Sequence, residues 1–102
     1  MELQNRLDEL IHELKSQKRI GLMAHLVAGY PSIQESRELA LAFARQGADI
    51  LEIQIPFSDP TADGPVITEA CQKALQQGTK PAFALDLCAE VAQQTGKPVV
   101  LM

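Results

Sequence analysis

Two strand-length apolar runs, IGLMAHLVAG at residues 20–29 and ADILEIQI at 48–55, are separated by a helical stretch rather than by a short turn. Between them, Ser32 with Glu35 three residues later forms a capping box that opens the helix ESRELALAFARQ, and Gly47 sits where a C′ glycine belongs. Beyond the second run, Pro65 fits the first position of a helix VITEACQKALQQ that Gly78 ends. Pro81 opens a further helix, AFALDLCAEVAQQ, ended by Gly96, and Pro98 leads into a third apolar run, VVLM. Ahead of all this, Leu3, Leu7, Leu10, Ile11 and Leu14 recur at helical spacing and predict an amphipathic helix over residues 2–17. The order α-β-α-β-α-α-β implies right-handed crossovers and a parallel sheet. No repeat, low-complexity tract or linker interrupts it.

At 102 residues the chain holds one domain at most. A net charge of −4 and four aromatic residues argue against nucleic-acid binding, which wants a basic face or stacking platforms. The N-terminal MELQNRLDELIHELKSQK carries charges throughout and lacks the apolar core of a secretory signal, and no apolar run approaches a membrane span. A cytoplasmic protein without membrane attachment is expected. Cys71 and Cys88 lie in separate helical patterns with no C-x-x-C or Cys/His cluster, so they read as reduced, mostly buried thiols and no metal site is expected.

The stretch LEIQIPFSDPTADGP, residues 51–65, is the unusual one. Its first half alternates as a strand does, yet it carries Glu52 and Gln54 where a buried sheet wants apolar residues. Its second half is stiffened by Pro56, Pro60 and Pro65 and carries Asp59 and Asp63. Taken singly, a strand glutamate usually lies on a solvated face. Asp63, just before Gly64-Pro65, can cap the following helix. Ser58-Asp59-Pro60 is a turn former, and that reading is preferred for Asp59.

Together, LEIQIPFSDPTADGPVI closely resembles the signature of the tryptophan synthase alpha chain family, roughly E-L/I-G-I/V-P-F-S-D-P-x-A-D-G-P. The upstream VAGYPS and GADILEI are similar to that family's first βα loop and second-strand entry. The resemblance runs the length of the chain but implies only the first part of a (β/α)₈ barrel of about 250 residues. The implied fold is a partial TIM barrel, the first three parallel strands with an extra N-terminal helix, so that residues 1–102 are the N-terminal portion of one barrel domain. The unprotected apolar ending VVLM suggests that the sequence is cut inside that larger fold.

The reaction implied is retro-aldol cleavage of indole-3-glycerol phosphate to indole and glyceraldehyde 3-phosphate. Resemblance makes Glu52 the principal acid/base and gives Asp63 the task of holding the indole N–H. It puts His25 where the family often has an aromatic ring, as a pocket wall rather than a proton carrier, and makes Leu101 an apolar pocket residue. A partner is implied as well: a beta chain carrying pyridoxal phosphate, docked near Pro56, Phe57, Ser58, Asp59 and Pro60. The alpha chain itself carries no cofactor. Alternation supports these roles, because Leu51, Ile53 and Ile55 would pack under the helices while Glu52 and Gln54 face the barrel interior. A carboxyl there is partly desolvated, as a general acid/base requires, and the three prolines reduce the entropy lost in holding Asp63. His12, on the first helix, is expected to face solvent.

The match departs from the family at Gln54, where glycine is usual. Its side chain either hydrogen-bonds Glu52 or narrows the indole site. The phosphate-gripping loops after strands seven and eight of such barrels have no counterpart here, so the chain alone is expected to be inactive. Two other readings stay open: a short non-catalytic protein that docks on a beta chain, and a different phosphate-sugar barrel lyase.

Overall fold

Apolar runs joined by capped helices give a three-stranded parallel sheet in the computed structural model, which describes residues 6–58 and 64–102. Among the described residues the elements are α1 (Arg6–Ser16), β1 (Met23–Val27), α2 (Ile33–Arg45), β2 (Ile50–Gln54), α3 (Pro65–Gln76), α4 (Pro81–Thr95) and β3 (Val99–Leu101). The strands lie side by side in sequence order, β1-β2-β3. Each strand of a (β/α)₈ barrel pairs with the next in the same way.

Local chemistry sets the helix ends. The Ser32 hydroxyl accepts the Glu35 backbone N–H at 3.1 Å and opens α2, as the capping box predicts. Pro65 and Pro81 occupy the first turns of α3 and α4. The N-cap of α3 is Gly64, which offers no side chain, and Asp63, the residue expected to cap it, lies outside the described residues. Gly96 closes α4 at φ 71°, a left-handed conformation that suits glycine.

The main core forms where α2 and α4 cover one face of the sheet. Leu26 of β1 and Ala28 just past it, Leu51 and Ile53 of β2, Ala40, Leu41 and Ala44 of α2, and Ala84, Leu87 and Val91 of α4 make one buried cluster. Alanines on the helices let them approach the sheet closely, while the strands supply the larger side chains. Burial of Leu51, Ile53, Leu87 or Val91 stabilises the fold by about 1.5–3 kcal/mol each. Arg37 of α2 clasps Glu90 of α4, with Nε to Oε1 at 2.7 Å and a second bond from Nη2 to Oε2, so the two helices are tied at their surface.

Helix α3 takes the opposite side. Val27, the neighbour of Leu26, packs not with α2 but with Ala70, Cys71 and Ala74 of α3, joined by the partly buried Tyr30 and Ile67. Successive strand residues point to opposite faces. Thus α3 covers the C-terminal end of the face that a barrel turns inward. At this end of the sheet the inward-turned face is therefore covered rather than bare.

The first strand is shorter than the predicted 20–29. Ile20 and Leu22 are apolar but stand largely exposed, at 93% and 58%. The Leu22 carbonyl still accepts the backbone N–H groups of Asp49 and Ile50 at 2.8 and 3.2 Å, and the side chain of Asp49, buried at the entry to β2, adds to that hold on the chain before β1. The Asp49 carboxylate accepts the Leu22 N–H at 2.8 Å and two N–H groups of Arg19 at 3.0 and 3.2 Å. The Arg19 guanidinium first, and then the Leu22 amide, hold the Asp49 carboxyl below its ordinary value. At the other end, β1 stops at a turn in which Tyr30 N–H reaches the Val27 carbonyl at 3.1 Å. Gly29 has φ 89°, and a Cβ there would lie 1.9 Å from Thr79 Oγ1. Only glycine allows the end of β1 to press against the α3–α4 connection.

Helix α1 is only lightly packed. Leu14 is its buried residue, Ile11 is 42% exposed, and Arg6 Nη1 donates to the Ala92 carbonyl of α4 at 2.8 Å. Leu3, expected on its apolar stripe, lies outside the described residues, and His12 is exposed as expected. Cys71 is buried, Cys88 is half-buried, and both are free thiols. Burial pushes the Cys88 thiol up from its ordinary value.

Candidate active site

Glu52 is the middle residue of β2, between the fully buried Leu51 and Ile53. Because those two neighbours point into the α2–α4 core, the Glu52 side chain projects from the other face. There it is half-buried. The sheet register sets His25 directly beside it on β1 and Val100 directly beside it on β3. Paired residues of neighbouring strands share a face, so His25, Glu52 and Val100 form a row across the sheet.

Gln54 lies one pleat further along β2 on the same side. It is buried, at 1% exposure, against the middle of α3, where Cys71 lies. Its Oε1 stands 2.8 Å from His25 Nε2, and its Nε2 is 3.7 Å from Cys71 Sγ. One buried amide therefore links β1, β2 and α3. Of the two roles expected for Gln54, the hydrogen bond goes to His25 instead of Glu52, and the side chain fills space at the C-terminal end of the sheet. The diagonal from Gln54 to His25 spans neighbouring strands, whereas Glu52 on the same strand is a full pleat away.

Of the remaining expected site residues, Leu101 is not brought to this row. Its register partner is Ile53, so it shares the face of Ile53 and not that of Glu52. Val100, which was not singled out from the sequence, takes the apolar position beside the carboxylate. Asp63, the expected second catalytic acid, lies outside the described residues, as do Asp59 and Pro60. Of the expected partner-facing loop, Pro56 is buried, while Phe57 and Ser58 are exposed, Phe57 by 52%.

A cavity of about 240 Å³ opens along β1, lined among others by His25, Val27, Tyr30, Val66 and Ile67. Ile67 and Tyr30 were not identified from the sequence, although the position of Ile67 one turn before Cys71 on α3 carried a signal. A carboxylate beside an imidazole, with an apolar side chain on its other flank, can exchange a proton with a ligand lying on this face. Among the described residues no cluster of three or more His, Cys, Asp or Glu could hold a metal ion, and no helix is long and apolar enough to cross a membrane.

Comparison with known proteins places this arrangement. The profile of the family described as tryptophan synthase alpha chain matches residues 11–102. The tryptophan synthase alpha chain of Desulfotalea psychrophila is 42% identical over 96 residues, covering 94% of this chain and 38% of the relative. That of Synechococcus elongatus is 46% identical over 88 residues, covering 86% of this chain and 33% of the relative. In three dimensions, tryptophan synthase subunit alpha from Legionella pneumophila superposes with a TM-score of 0.92 at 35% identity, over 98% of this chain and 38% of that one. Tryptophan synthase from M. tuberculosis, in an aminoacrylate-bound form, gives 0.90 at 31% identity, over 97% of this chain and 40% of that one. The chain thus spans about two fifths or less of the proteins it matches. The expected partial TIM barrel is borne out, with three parallel strands that follow the alpha-subunit chains closely. On sequence and on structure alike, the chain belongs to the tryptophan synthase alpha chain family.

Proposed function

We propose that residues 1–102 are the N-terminal portion of a single (β/α)₈ domain whose reaction is retro-aldol cleavage of indole-3-glycerol phosphate to indole and glyceraldehyde 3-phosphate. Carrying this reading is one observation: Glu52, in the family's signature strand, stands on the face opposite the α2–α4 core, beside His25. Glu52 is the acid/base that exchanges protons with the indole ring carbon and the glycerol hydroxyl. Asp63 receives the indole N–H. His25 and Gln54 form the polar side of the ring site and Val100 its apolar side; Leu101 backs the strand from the other face. The exposed Phe57 and its loop, from Pro56 to Pro60, form the docking surface for a beta chain. Membership of the tryptophan synthase alpha chain family supports work in the cytoplasm.

The test replaces the matching segment of the Legionella pneumophila alpha subunit with residues 1–102 and follows indole release. The chimera is expected to be active, and Glu52→Gln is expected to lower kcat by about 10²–10⁴-fold. A chimera that folds but releases no indole, while the parent subunit does, defeats the reading. The 102-residue chain alone is expected to release none, since remote phosphate binding is what positions the reacting centre.

A further inference from the structure

The Gln54 amide is buried and oriented, and its two ends are chemically different. Oε1 is an acceptor only, and it faces His25 Nε2 at 2.8 Å. The amide nitrogen faces the thiol of Cys71, a weak acceptor, at 3.7 Å. That orientation requires a proton on Nε2 of the imidazole. A neutral ring with its proton there has an unprotonated Nδ1, which can only accept. His25 is half-exposed and shares the face of Glu52. Gln54 is buried, and the Cys71 contact on its amide nitrogen sets Oε1 toward His25.

We propose that Gln54 is a positioning residue. It fixes the proton of His25 on Nε2 and so leaves Nδ1 able only to accept a hydrogen bond on the face that carries Glu52. The device itself rests on the Gln54–His25–Cys71 geometry.

The experiment is nitrogen-15 NMR of the two imidazoles in the 102-residue chain, above the ordinary histidine range of about pH 6.5. His12, exposed on α1, serves as the internal reference for a ring open to solvent. His25 is expected to show a slowly exchanging N–H proton at Nε2 that His12 lacks. That signal should vanish in Gln54→Leu and return in Gln54→Glu, whose carboxylate is again an acceptor. An N–H signal at Nδ1 of wild-type His25, or no difference from His12, overturns the proposal without any variant having to fold. Because the Nε2 signal involves no reaction, it can fail while the chimera releases indole, and it can hold while the chimera does not.

Discussion

Leu51 and Ile53 are fully enclosed by α2 and α4, while Glu52 between them meets water, His25 and Val100. The same five-residue strand therefore supports two different surfaces. One is closed and apolar, and its energy comes from removing side chains from water. The other is polar and partly open, covered by α3 only toward the C-terminal end of the sheet. The contrast separates what holds the sheet together from what can do chemistry. A carboxylate can be kept on a strand because its neighbours, one residue to either side, already satisfy the core.

The sharpest way to break this comparison is to alter adjacent residues of β2. Ile53→Ala leaves a cavity between sheet and helices and should destabilise the chain by about 2–5 kcal/mol. Glu52→Gln should stay within about 0.5 kcal/mol of the wild type. Urea denaturation of both variants measures the difference. Equal losses would mean that the Glu52 face contributes to the fold as much as the core does.

A smaller effect concerns how the two surfaces are held in register. Asp49 fastens the entry of β1 to the entry of β2, and Asp49→Ala should cost about 1–3 kcal/mol by stripping the Leu22 amide and Arg19 of their buried acceptor. The folded-state pKa of Asp49 is lowered, first by Arg19 and then by the Leu22 amide. Its contribution is therefore present above the unfolded carboxylate value of about 4 and is lost as pH falls through the lower folded value. The stability gap between wild type and Asp49→Ala should be constant near neutrality and shrink in acid. A gap that grew on acidification would contradict this assignment.

Smallest of all is the surface tie across the helix layer. Arg37→Ala removes the partly exposed pair with Glu90 and should cost no more than about 1 kcal/mol, less in high salt. A larger or salt-independent loss would mean that the α2–α4 layer relies on that clasp more than on Leu41, Leu87 and Val91.

Much of the architecture could be read from local signals. The Ser32 cap, the two helix-opening prolines and Gly96 each act within a few residues, and each appears where its own chemistry requires. The alternation around Glu52 was equally legible, since a period of two needs no knowledge of the partners. Apolar content misled at Ile20 and Leu22, which stand exposed, and the Leu22 amide is held by an aspartate some thirty residues away in sequence. For Leu101, expected in the pocket from the resemblance, spacing was silent on facing, because a three-residue strand takes its facing from register with β2, and that register sets Val100 beside Glu52.

By itself, then, the sequence determined the order of elements, the parallel sheet, the caps and the side of β2 from which Glu52 projects. All of these follow from spacing along the chain. Only the tertiary structure decided that α3 crosses to the face opposite α2 and α4, that Gln54 reaches His25 and Cys71, and that Asp49 clamps the start of β1. These contacts join residues distant in sequence, and their geometry exists only once neighbouring strands have fixed their register and the helices have closed over them.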